Sequence, residues 1–388
     1  MFHDLKVLEL ASVLAGPSVG QFFAELGAEV IKVENIHTGG DVTRTWKVKN
    51  EETDDRSSYF CSVNWGKKSI ALDLNRKEGK AIIYKLFKKS DIVIASYKSG
   101  DAEKLGVDYK TLSALNPNLI YGQISGFGSS NPRVGYDAVI QAEAGFMFLN
   151  GEPDGPSLKM PVALMDILAA HHLKEDILLA LLRKNQTGKG DFLEVSLLQA
   201  AVSSLANQAA NWLVAGVTPQ KQGSAHPNIA PYGDIFRTLE GHEILLAIGS
   251  DRQFTSLCKI LNLGHANEMY RTNVLRVGNR PALNQLLGQN IALLRLDTLT
   301  FELQAANIPY GIIKDMPAVF ETPEAQRLLL HSDDRIGVRT YIGTAFRDGS
   351  SHFLPPPHLG EHSQEILIQS LATPPQEVEY LFKAGIIL

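Results

Sequence analysis

The sequence predicts an α/β protein built on a parallel, doubly wound sheet. Two observations carry this. Short apolar runs alternate with helix-length stretches from the N-terminus to about residue 200, the pattern of strands joined by helical crossovers. The first three segments read strand, helix, strand, which is one βαβ unit. A change of texture at His226 adds a second, mixed α/β domain, in keeping with a 388-residue chain that is long for a single core.

Lys6–Leu10 is the first apolar run, and Ala15-Gly16-Pro17 ends it. Pro17 suits a first helical turn, where its missing N–H needs no partner. That helix runs to Leu26 and stops at Gly27, and Val30–Val33 is the next strand, closed by Glu34. Ser69–Leu72 is a third strand. Asn75-Arg76-Lys77-Glu78 has the spacing of a capping box opening a helix to Lys89. Ile92–Ala95 and Leu119–Ile124 are further strands, the latter followed by the glycine-rich loop Ser125–Gly135. Residues 162–184 form a helix with an apolar stripe that includes Ile167, Leu168, Ile177, Leu178, Leu181 and Leu182. The turn Thr187–Asp191 leads to a strand at Phe192–Val195 and a helix at Leu197–Leu213. Past His226, Pro231-Tyr232-Gly233 and Glu240-Gly241-His242 punctuate short strands, including Ile244–Ile248, and helices follow to about 320. After about 330 come the run Pro355-Pro356-Pro357 and a helical tail.

Composition excludes several classes. Net charge is -5, which favours neither nucleic acid nor an anionic membrane. Ile177–Leu182 is typical of the longest apolar stretches and far too short for a membrane span. The N-terminus carries no signal-peptide pattern, and the two cysteines, Cys61 and Cys258, form no pair. A cytoplasmic protein without a disulfide framework or metal site is expected.

The first βα turn, Ala15-Gly16-Pro17-Ser18-Val19-Gly20, lacks the first glycine of a dinucleotide fingerprint, although Glu34 sits near the ribose-binding position. No Walker, HExxH or GxSxG motif appears. Lys67-Lys68 could meet phosphate, but paired lysines are ordinarily solvated. His171 and His172 lie five and six residues past Asp166, off its helix face, and read as surface histidines. His226 reads as a structural loop residue. Asp166 stands alone among apolar residues in Pro161–Asp166. It reads either as a carboxylate that complements the start of a helix or as a nucleophile that the helix start keeps ionised.

Several strings, taken together, resemble the class III CoA-transferase family (CaiB/BaiF type) along nearly the whole chain. They are Val7-Leu8-Glu9-Leu10 with Ala15-Gly16-Pro17, Leu26–Glu34, Gly40-Asp41 with Arg44, Asn64 with Gly66–Ile70, and Leu72-Asp73-Leu74. Leu105-Gly106, Asn116-Pro117, Ser125–Gly128, Tyr136-Asp137 with Gln141-Ala142, and Thr187–Gly190 continue the series. His226-Pro227-Asn228, Pro231-Tyr232, Arg276-Val277 with Asn279-Arg280, and Leu359–His362 complete it.

The resemblance implies a large Rossmann-like domain from both chain ends, residues 1–200 and 330–388. A linker at 201–224 leads to a smaller inserted domain with its return linker at 225–329. It also implies an interlocked homodimer. Asp166 takes the position of the family's catalytic aspartate. CoA thioesters and small carboxylic acids are the implied substrates, with no tightly bound cofactor. Val13, Leu14, Asn35, Leu72, Ser96, Tyr97, Lys104 and Leu105 match CoA-contacting positions. Asn35 and Lys104 stand where arginine is frequent, and Ser96–Gly100 departs from Asn-Phe-x-Pro-Gly. The family's α-methylacyl-CoA racemases carry a histidine at the position of Tyr136, where a phenol is a poor base at neutral pH. Transfer is therefore the expected chemistry, with racemisation or silent CoA binding as the alternatives. The region Gly249–Gln253 lacks the glycine run of the oxalate-specific members.

Overall fold

The computed structural model describes residues 1–343 and 353–388. Contacts divide the chain into two compact units. One holds Met1–Ala144, Met160–Leu205 and Gln326–Leu388, and the other Gly145–Lys159 and Ala206–Ala325. Residues 145–159, read from sequence as part of the large domain, thus belong to the second unit.

Apart from a separate antiparallel pair of Leu329–His331 and Ile336–Val338, the first unit is built on a six-stranded parallel sheet. Its strands are β1 (Lys6–Leu10), β2 (Glu29–Asn35), β3 (Lys67–Leu72), β4 (Ile92–Ala95), β5 (Ile120–Ser125) and β6 (Asp191–Ser196), in the order β3-β2-β1-β4-β5-β6. Leu8 of β1 pairs with Ile31 on one side and Val93 on the other. All four residues of β4 are buried, as are the last four of β1. Strands covered on both faces read as continuous apolar runs, which is why they were legible. Helices α1 (Ala15–Glu25), α2 (Lys77–Phe87), α3 (Asp137–Glu143), α4 (Leu164–Thr187) and α5 (Leu197–Ser203) belong to this unit.

Two sequence expectations fail locally. The predicted capping box does not form: α2 starts at Lys77 with no side-chain cap, and the Asn75 amide donates instead to the Asp73 carboxylate at 2.9 Å. The predicted helix Leu197–Leu213 breaks. Its second half, α6 (Ala206–Leu213), lies in the other unit, and Ala206 turns through a positive φ of 47°. The Ser203 and Ser204 hydroxyls both donate back to the Ala200 carbonyl, a local alternative to helix continuation.

The second unit has a three-stranded antiparallel sheet of β7 (Tyr232–Arg237), β8 (Glu243–Ala247) and β9 (Tyr310–Ile312). Helices such as Asp251–Ile260, Arg280–Ile291 and Leu296–Ala305 pack on it around Phe236, Ile244, Leu246, Phe254, Leu287 and Leu303. No helix among the described residues is long and apolar enough to cross a membrane.

Candidate active site

Strand order reverses between β1 and β4, so the loops leaving those two strands part from each other. Open α/β sheets bind ligands in the crevice this creates, beyond the carboxyl ends of the strands. Here a cleft occupies that place. Ser12 and Val13 line it after β1, Ser96 to Ser99 after β4, Ser125 and Gly126 at the end of β5, and then Tyr136 and Asp166. Val13 sits at φ 73°, a conformation that costs a β-branched residue energy. Its amide donates to Asp41 Oδ1 at 3.3 Å, which helps hold it there. Gly126 and Gly135 pinch the glycine-rich loop shut at its base. A Cβ on Gly126 would lie 2.5 Å from the Gly135 Cα, so only glycines allow the crossing.

Asp166 lies in the first turn of α4 and is 8% exposed. Among the described residues no hydrogen-bond donor reaches its carboxylate. The first-turn amides are otherwise occupied. Leu164 N–H donates to the Val162 carbonyl, Met165 N–H to Asp137 Oδ1 at 2.8 Å, and Ile167 N–H to the Ala163 carbonyl. Burial, with the Asp137 carboxylate adding to it, pushes the Asp166 carboxyl up to about 7. The expectation that the helix start keeps Asp166 ionised is not met, because burial and Asp137 both favour its acid form. At neutral pH the group is poised between acid and carboxylate. Tyr59 lies within the field of the same acids. Burial first, then Asp166, Asp137 and Asp41, push its phenol up to about 12.

Of the residues singled out in the sequence, Val13, Ser96, Tyr97, Tyr136 and Asp166 come together around this cleft. The others stand apart from its lining. Leu14 is the residue preceding α1. The Asn35 side chain accepts the His37 amide at 2.9 Å. Leu72 is fully buried in the core, and Leu105 packs against that core. Lys104 Nζ pairs with Asp101 at 2.9 Å. The cations on the cleft are Lys98 and Arg133, neither of which the sequence singled out. Arg133 stacks 4.3 Å from the centre of the Phe127 ring and pairs with Glu143.

Two other readings change. Glu34 is held by Arg44 at 2.7 Å, by the Ser69 hydroxyl at 2.6 Å and by the Asp41 amide, so it has no freedom to take a ribose. Lys67 is not solvated: it is fully buried and pairs with Glu9 at 2.7 Å. Asp137 and Gln141 went unread as site residues. Their i, i+4 spacing on one helix face, close before Asp166, was the available signal.

The pattern of CoA-transferase family III matches residues 2–363. The succinate–glutarate CoA-transferase of Agrobacterium fabrum is 37% identical, over 95% of this chain and 97% of its own length. The human succinyl-CoA:glutarate CoA-transferase is 34% identical over 99% and 90%. A CaiB/BaiF family protein from Brucella suis has a crystal structure that superposes with a TM-score of 0.81 at 38% identity, covering 93% of this chain and 97% of that one. Fold, cleft and sequence agree, and the chain belongs to CoA-transferase family III.

Proposed function

We propose that this protein passes CoA between a CoA thioester and a free carboxylic acid, with Asp166 as the covalent carrier. The observation that carries the reading is the Asp166 carboxylate itself, which is sheltered, unpartnered among the described residues and at the edge of the switch-point cleft. A carboxylate stripped of water and hydrogen bonds keeps the nucleophilicity that solvation would blunt. One Asp166 oxygen attacks the thioester carbonyl, and the CoA thiolate leaves with the C–S electron pair, giving an aspartyl–acyl anhydride. The thiolate then attacks the Asp166 carbonyl and expels the donor acid as its carboxylate, leaving an aspartyl–CoA thioester. The acceptor carboxylate attacks that thioester and releases the thiolate again. The thiolate takes the acceptor acyl group and regenerates the Asp166 carboxylate.

The relatives' names support short dicarboxylic acids, succinate and glutarate, as the acids to try first. Transfer is favoured over racemisation because Tyr136 offers a phenol where an α-proton base would be needed. An interlocked homodimer belongs to the same reading, and the exposed Leu179 and Leu182 on α4 are consistent with a face that a second copy covers. Light scattering is expected to give twice the 42.5 kDa chain mass.

The test is chemical trapping. Incubation with succinyl-CoA followed by hydroxylamine is expected to convert Asp166 to a hydroxamate seen by peptide mass spectrometry. Asp166→Ala should lose both the adduct and turnover. Full activity in Asp166→Ala would end the proposal.

A further inference from the structure

Behind Asp166 lies a small polar device that the transfer chemistry does not by itself require. Asp137 opens α3 and is 8% exposed, and Gln141, one turn on, is fully buried. Asp137 Oδ2 accepts from Gln141 Nε2 at 2.6 Å, and Asp137 Oδ1 accepts the Met165 amide at 2.8 Å. Gln141 Oε1 accepts the Met160 amide at 2.8 Å, and its Nε2 also lies 3.5 Å from the carbonyls of Met160 and Val162. Two side chains of α3 therefore grip the run that leads into α4 at both ends, at 160–162 and at 165.

From this geometry we infer that Asp137 and Gln141 are positioning residues, a clamp that fixes the first turn of the helix bearing Asp166 and keeps the Met165 amide from stabilising its carboxylate. The inference rests on Asp166 being the nucleophile. A carboxylate is a reasonable choice for such a clamp on two counts. It accepts a helix-start N–H more strongly than a neutral group does, because the bond is charge-assisted. It also sets a like charge near Asp166, which works against ionisation of a group already desolvated. A carboxylate with a weaker acid is the better nucleophile once its proton has gone. The other groups around Asp166 do not duplicate this. Tyr59 is held neutral, Arg133 is paired with Glu143, and Lys98, Tyr97 and Tyr136 stand on the cleft wall.

The variants Asp137→Asn, Asp137→Ala and Gln141→Ala separate the two roles when assayed as kcat and KM from pH 5 to 9, beside Asp166→Ala. Asp137→Asn keeps an oxygen for the Met165 amide and loses the charge, while its NH2 takes the place of the Oδ2 that accepts from Gln141 and so also breaks that bond. The acid limb of its kcat/KM profile is expected to move to lower pH. Asp137→Ala and Gln141→Ala release the helix start, and kcat on the plateau is expected to fall about tenfold or more, with KM for the CoA thioester nearly unchanged. Gln141→Ala keeps the acid limb where the parent has it. If Asp137→Ala does not fold, the other two variants still decide. Parental kcat in Gln141→Ala overturns the clamp, and an unmoved acid limb in Asp137→Asn overturns the like-charge effect, each while leaving Asp166 as the nucleophile. Activity in Asp166→Ala overturns the nucleophile itself, a separate outcome.

Discussion

Asp166 shows how far one residue's role depends on what surrounds it. Burial, with Asp137 adding to it, pushes its folded carboxyl up to about 7, while an unfolded aspartate lies near 4. Across that window the folded chain holds a proton that the unfolded chain has released. Stability from this group is therefore lost as pH rises from about 4 to 7. Asp166→Asn removes the loss, so its Tm should exceed the parent's at pH 8, by an amount of order a few kcal/mol in stability, and the gap should close near pH 4. Calorimetry at the two pH values checks this, and equal Tm values at pH 8 would count against the raised carboxyl. Activity runs the opposite way. In the proposed transfer the Asp166 carboxylate attacks the thioester, so rate should climb between pH 6 and 8. The sequence made Asp166 legible as a lone acid near a helix start. It did not make the titration legible, because burial and Asp137 arrive only with the fold.

At the scale of the element, β1, β2 and β3 carry charges through the sheet. Glu9 is fully buried and bridges Lys32 at 2.9 Å and Lys67 at 2.7 Å, and Lys32 also meets Asp41 at 2.9 Å. Burial opposes the Lys32 ammonium, but Asp41, Glu9 and Glu34 together win and hold it well above the ordinary lysine range. Burial lowers Lys67 to about 8 against the pull of Glu9. The network reaches the cleft, since Asp41 holds the Val13 amide and Lys32 donates to the Ala11 carbonyl at 2.8 Å. Removing one partner of a buried pair leaves uncompensated charge. Glu9→Ala is expected to cost about 3–5 kcal/mol in urea unfolding. Gly20 presses on the same network: a Cβ there would fall 1.9 Å from Glu9 Oε2. Gly20→Ala should destabilise by about 1–3 kcal/mol through overpacking. In a strand, neighbours alternate faces, so Lys67 turning in and Lys68 turning out was readable in principle. That Glu9 waits for Lys67, 58 positions along the chain, was not.

The whole molecule shows a similar divide between what is local and what is distant. The strand–helix alternation follows from patterns a few residues long, whereas the assignment of 145–159 to the second unit does not. The closing of the large unit does not, because it depends on contacts across some three hundred positions. The Asp73 amide donates to the Ile386 carbonyl at 3.0 Å, Leu72 bridges Ile387, and Gly360 donates to the Ser69 hydroxyl at 2.9 Å. Val378, Leu381, Ile386 and Ile387 bury their side chains in the core that contains Leu8, Ile70 and Val93. Among the described residues, the buried side chains of the second unit's core all lie between Phe236 and Ile308, with Tyr310 packed against them. A chain ending at Thr373 would strip four apolar side chains from the first core and uncover the edge of β3. Burial of such side chains is worth about 1.5–3 kcal/mol each, which is comparable in sum to the whole stability of a domain. The truncated chain is therefore expected to lose the cooperative unfolding of its parallel-sheet unit. A fragment spanning 206–325 lacks 145–159 of its unit but keeps every buried side chain of that core, and should still unfold cooperatively. Circular dichroism melts of the two species check this, and a cooperative, parent-like melt of the truncated chain would show that the tail does not close the sheet.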